Sequence, residues 1–294
     1  MKLLKYLAWL LLVGCGTREV QTIVIRGSDT EVNLVLRLAE TFMEQDPNVS
    51  IAVTGGGSGT GIAALINKKT DIANSSRAFK DSELALAKAR EVDVVPIVFA
   101  MDALSFIVHP SLPVDELSTA QIRSIFTGTT TDWSELGGPD LGISLYGRQS
   151  NSGTFSFIQQ QILRADYAQS MKQMNGTAQI IESIKNDIAG IGYVGVGYVV
   201  DKTGKQIDGV KVLAVTAVKG DAAISPLESE NIINGSYPIV RPLYQYLDGQ
   251  PTGKLADFLR YELSARGTEM IIDNGYFPIG KHYQRQNQQI LDHE

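Results

Sequence analysis

Arg148-Gln149-Ser150-Asn151-Ser152-Gly153-Thr154 sets a guanidinium four residues ahead of two hydroxyls that flank a glycine. A planar fork of donors beside short hydroxyl side chains is chemistry for holding the oxygen atoms of an anion. Two other segments repeat the theme: Gly27-Ser28-Asp29-Thr30-Glu31 and Gly55-Gly56-Gly57-Ser58-Gly59-Thr60-Gly61. Glycines such as Gly57 and Gly59 let the backbone come close to a ligand. The first N–H groups of a helix lack partners within it and carry partial positive charge. If each segment opens a helix, three ends supply roughly +1.5 charge and Arg148 adds a full one. That sum suits a small dianion such as hydrogen phosphate or sulfate. The glycine loop is no nucleotide P-loop, because no Gly-Lys-Ser/Thr follows it. Taken singly, Ser28, Thr30, Ser58 and Ser152 read equally well as helix N-caps, and Arg148 as a surface arginine. The anion reading comes from all three together.

These segments need strands before them and helices behind them. The β-branched run Gln21–Arg26 predicts a strand, and Val32, Val35, Leu36, Ala39 and Phe42 predict a helix over Thr30–Gln45. Val49–Thr54 reads as a second strand, Ile62–Asn67 as a helix, Asp71–Asn74 as a short strand end and Asp81–Glu91 as a helix. Val92–Phe99 and Ala103–Val108 read as two strands. Thr119–Phe126, Thr154–Arg164 and Ala178–Asn186 read as helices, with strands at Ile143–Gly147 and Ile191–Val200. Tyr237–Tyr246 is a strand in which Pro242 suits an edge or a crossover. Lys254–Ser264 and Thr268–Ile272 are helical, and the polar tail after Lys281 is expected to fray. Strands alternating with helices predict an α/β fold with largely parallel sheets. With 294 residues, two lobes are expected. Lobe one takes residues 20–103 and 238–294 and lobe two takes 104–237, with two crossing strands as hinge near Ala103 and Tyr237.

A net charge of −6 argues against a nucleic-acid partner, which would require a basic face. The only cysteine, Cys15, rules out a disulfide within the chain. Lys2 and Lys5, an apolar run Tyr6–Val13 and then Gly14-Cys15 predict a signal peptide over 1–14 and a tether over 15–19. Leu12-Val13-Gly14-Cys15 resembles the bacterial lipobox, which implies a lipid on Cys15 and a place outside the cytoplasmic membrane. The three histidines, His109, His282 and His293, have no metal-ligand spacing, and no Gly-x-Ser-x-Gly elbow is present. No metal, cofactor or catalytic residue is expected.

The quoted loops, with Asp71-Ile72-Ala73-Asn74-Ser75-Ser76-Arg77, Ile191-Gly192-Tyr193-Val194 and the Tyr237–Tyr244 segment, resemble the phosphate-binding proteins of the phosphate ABC importer. The resemblance covers nearly the whole chain after Cys15, and Arg-x-x-x-Ser-Gly-Thr is its most specific part. It implies a two-lobed type II periplasmic-binding-protein fold, hinged by two crossing strands. By motif it implies that Ser28, Thr30, Ser58, Ser76, Arg148, Ser152, Gly153 and Thr154 hold inorganic phosphate. A membrane permease and a lipid anchor are the implied partners, and a monomer is expected. Ser76 stands where some members carry an aspartate that accepts the proton of hydrogen phosphate. Asp29 or Glu31 is the expected replacement, although either could simply stabilise a helix dipole. Arg77 is either a second charge at the cleft rim or a solvated surface residue. A receptor for sulfate or molybdate, an exported phosphatase and a sensor or adhesin on the same fold are the competing readings.

Overall fold

The protein is seen in a computed structural model that describes residues 20–201, 203–217 and 221–292, so Cys15, the expected signal peptide and tether, and His293 lie outside the described residues. The chain opens with β1 (Gln21–Gly27), α1 (Val32–Gln45), β2 (Val49–Thr54), α2 (Ser58–Ile66), β3 (Ile72–Ser75) and α3 (Asp81–Ala89). Parallel pairing sets β2 and β3 on either side of β1. Ile23 and Ile25 of β1 point inward under α1, which buries Leu34, Val35, Leu38, Ala39 and Phe42. Val35, Ala39 and Phe42 of the expected stripe are buried, Leu34 and Leu38 join them, and Leu36 is left exposed.

Next comes β4 (Val94–Val108), one unbroken strand where two were expected. Between the two expected strands, Ala100-Met101-Asp102 holds no glycine or proline; Asp102 interrupts the apolar pattern but not the backbone. Beyond it lie β5 (Glu116–Ser118), α4 (Thr119–Phe126), β6 (Ser144–Arg148), α5 (Gly153–Phe157), β7 (Lys172–Met174), α6 (Thr177–Lys185) and β8 (Gly190–Gly195). The helix expected over Thr154–Arg164 starts as α5 but continues as a π-helical turn over Ile158–Leu163. The strand expected over Ile191–Val200 stops at Gly195 and gives way to a 3-10 turn, Val196–Tyr198. Short pieces follow: β9 (Lys211–Val212), β10 (Ala214–Thr216) and α7 (Ser229–Ile233).

The chain then returns through β11 (Val240–Asp248) to α8 (Gly253–Glu262), α9 (Ala265–Asp273) and α10 (Lys281–Leu291). The tail expected to fray is thus helical. Leu291 packs on the first core, and the buried Asn287 side chain bonds both the N–H and the C=O of Val98.

The main sheet runs β2-β1-β3-β11-β4-β8-β6-β7. It is mixed rather than largely parallel, because β11 and β4 run antiparallel to their neighbours. Along β4, pairing with β11 ends at Ala103 and pairing with β8 begins at Leu104. Pro242 sits where β11 has left β3 and faces β4 alone. One core gathers Ile25, Leu38, Phe99, Leu243 and Phe258; the other gathers Leu104, Phe126, Trp133, Tyr193 and Tyr237. The molecule is therefore two α/β lobes joined by two crossing strands. Among the described residues no helix is long and apolar enough to cross a membrane.

Candidate functional site

The three loops meet. The two of lobe one leave the carboxyl ends of β1 and β2, that of lobe two leaves the end of β6, and Ser76 joins them from the end of β3. In open α/β sheets this is the edge where ligands bind. Gly57 caps α2 at a φ of 94° and so aims Ser58 into the cleft. Thr30 Oγ1 lies 3.1 Å from Thr154 Oγ1, across the lobes. Ser58 Oγ accepts from the N–H of Ser76 at 3.1 Å and lies 3.4 Å from its hydroxyl. A Cβ on Gly153 would fall 2.3 Å from Ser58 Oγ and 2.5 Å from Ser76 Oγ, so only glycine allows this approach. Ser28, Thr30, Ser58, Ser76, Ser152 and Thr154 are all buried. The Ser152 hydroxyl accepts from the N–H groups of Thr154 and Phe155, so it serves as the N-cap of α5. Gly59 donates its N–H to Asn151 O at 2.9 Å, and Asn151 Nδ2 reaches Gly56 O at 2.9 Å, which closes lobe on lobe.

Arg148, at the end of β6, is 1% exposed. It donates Nη1 to Thr177 Oγ1 at 3.2 Å and Nη2 to Asn175 O at 2.9 Å, and it pairs with Asp29 of the other lobe. Its Nε is buried and has no partner among the described residues. A guanidinium N–H left over in a buried, hydroxyl-lined place is a donor waiting for an acceptor. Tyr193 accepts from the N–H of Arg148 at 3.0 Å, and burial pushes its phenol up to about 12. Tyr198 donates to Asp29 O. Both tyrosines tie down polar backbone groups beside the loops.

Spacing alone missed a second arginine. Arg241 of β11 is fully buried and pairs with Asp102 of β4 through Nε at 3.0 Å and Nη2 at 2.8 Å. Nη2 also reaches Thr154 Oγ1 at 3.0 Å and Thr30 Oγ1 at 3.2 Å, while Nη1 donates to Ser76 O at 3.2 Å. The available signal was Asp102 as the one charge of β4 and Arg241 as the one basic residue of β11. They stand 139 residues apart, so no spacing rule joins them. Burial pushes the Asp102 carboxyl up, and Arg241 pulls it back.

The acidic candidates separate. Asp29 accepts from Arg148 and, through Oδ1, from the N–H of Gly56 at 2.9 Å. Glu31 is fully buried, and neither of its oxygens has a hydrogen-bond partner in ordinary geometry. Burial raises the Glu31 carboxyl well above the usual range; Ser28 and Arg241 oppose this, and Asp102 and Glu262 reinforce it. Arg77 turns away from the loops to a two-pronged pair with Glu83, both contacts at 2.7 Å. It is buried rather than solvated, and it lines a groove of about 450 Å³ beside Ser76 and Arg241.

Residues 16–266 match the family described as the PBP superfamily domain. The chain is 32% identical over 273 residues to phosphate-binding protein PstS of Pseudomonas aeruginosa, covering 86% of this chain and 81% of that one. PstS of Bacillus subtilis is 32% identical over 261 residues, covering 88% and 81%. A solved structure described as a phosphate ABC transporter substrate-binding protein of Clostridium perfringens, with bound phosphate, superposes at a TM-score of 0.78. Its identity to this chain is 26%, with 88% of this chain and 100% of that one covered.

Proposed function

This chain belongs to the PBP superfamily, alongside the PstS phosphate-binding proteins, and on that premise we propose that it captures inorganic phosphate between its lobes and delivers it to an ABC-type import permease. The observation that carries this reading is the buried convergence of Thr30, Ser58 and Ser76 from lobe one with Arg148, Gly153 and Thr154 from lobe two, with Arg148 Nε left to donate. Phosphate would meet hydroxyls, helix-end N–H groups and a guanidinium at once. Closure removes water and strengthens each of those bonds. No covalent step is assigned to the site.

The lobes are taken as 20–103 with 238–294, and 104–237; the hand-over from Ala103 to Leu104 on β4 supports that boundary. Cys15 carries the lipid in this reading and holds a monomer outside the membrane; Leu12-Val13-Gly14-Cys15 supports it. For preference over sulfate, Asp29 is the acceptor of the hydrogen-phosphate proton, directly or through a hydroxyl.

Calorimetry with phosphate, sulfate and molybdate tests the assignment. Wild type should bind phosphate best, and Arg148→Ala should weaken binding by at least about thirtyfold, the cost of removing a buried charge from its partners. Equal affinity for all three anions, or unchanged binding in Arg148→Ala, would refute it. Turnover of a phosphate ester would point to an enzyme instead.

A further inference from the structure

We propose that Arg241 is a positioning residue of the anion site: its pair with Asp102 aims one guanidinium nitrogen at the hydroxyls of Thr30 and Thr154, holding both as donors. This rests on the phosphate reading above.

Charge alone does not explain Arg241. Asp102 neutralises it, and both side chains are at most 1% exposed. A buried ion pair is a poor source of stability, since a well-packed apolar pair often does as well. Geometry explains it better. A guanidinium only donates, so a threonine oxygen facing Nη2 accepts from it. Each hydroxyl then keeps its own hydrogen to give away. The two oxygens are 3.1 Å apart, and one hydrogen can fill the gap between them. The oxygens of a tetrahedral anion can take both hydrogens at once.

The same guanidinium touches every part that moves. Asp102 and Arg241 lie on the two crossing strands, Thr30 and Ser76 O belong to lobe one, and Thr154 belongs to lobe two. The Phe157 ring, 5.5 Å from the guanidinium carbon, holds its other face. Thr30 and Thr154 come from different lobes, so both lie under Arg241 because the lobes meet here. Arg241 thus makes donor alignment and closure one event. A lysine keeps the charge but cannot place donors on all these oxygens at once.

The test is a phosphate titration by calorimetry at fixed salt. Arg241→Met with Asp102→Leu removes both charges together and leaves neither buried alone. Thr30→Val and Thr154→Val are made in wild type and in that background, and Arg241→Lys is made alone. Positioning predicts about ten- to hundredfold weaker binding in the paired variant, the worth of hydrogen bonds to a charged ligand. It also predicts that each threonine change, costly in wild type, has little further effect in the paired variant. Arg241→Lys should bind nearer to the paired variant than to wild type. Threonine effects that simply add, or an Arg241→Lys protein with wild-type affinity, would overturn the inference while leaving phosphate capture intact. A wild type that gives no phosphate heat would overturn both.

Discussion

Glu31 neighbours Thr30 in sequence, yet its carboxyl and that of Asp29 live in opposite surroundings. Asp29 accepts hydrogen bonds from the Arg148 guanidinium and from the N–H of Gly56. Glu31 has burial pushing it toward the neutral form. A neutral acid is a poor acceptor for a second proton. Asp29→Asn is therefore expected to lose phosphate-over-sulfate preference, whereas Glu31→Gln keeps it. Competition titration with sulfate measures both, and the reverse pattern would transfer the role to Glu31. The hydroxyl and arginine positions on the loops were legible because they recur beside strand ends. Arg241 was not, because its role depends on a partner and two threonines brought near only by the fold.

At the scale of elements, α8 and β11 share a buried contact that titrates. Gln245 of β11 donates to Glu262 of α8 at 3.2 Å, and burial raises Glu262 to about 8. In the unfolded chain this acid returns to about 4.3, so the folded state holds a proton that the unfolded state has released. The stabilisation is whole below the unfolded value and is lost as pH rises toward 8. The slope is about 1.4 kcal/mol per pH unit in that window. Glu262→Gln, which mimics the neutral form, should melt with a shallower decline between pH 6 and 9 than wild type. Parallel melting curves would show that Glu262 is not the proton holder. Strand and helix identities were largely readable from period and turn residues. The errors fell where tertiary contacts decide. β4 passes through the hinge without a break, and α10 is held by Asn287 and Leu291, which lie buried against the sheet.

For the whole molecule, closure is limited by how near the loops can come. Gly153 sets that limit, since any side chain there would press on Ser58 and Ser76 of the other lobe. Gly153→Ala is expected to cost about tenfold in phosphate affinity, roughly one displaced hydrogen bond to a charged ligand. Its melting temperature without ligand should stay near that of wild type. Scattering should show less compaction on adding phosphate than wild type shows. Equal compaction and equal affinity would mean that the serines simply rotate aside. The two-lobed plan was legible in the alternation of elements. The mixed strand direction was not, because it depends on where the returning strand inserts.

That returning strand has a consequence for how the chain is born. β11 lies between β3 and β4, although it is made more than a hundred residues after them. A polypeptide emerging N-terminus first therefore carries a gap in its sheet, with two unpaired backbone edges, until residue 248 is free. Such late, long-range pairing is slow and leaves the nascent molecule exposed to aggregation. It also delays folding of the first lobe until most of the chain has emerged, which keeps the polypeptide threadable for most of its synthesis.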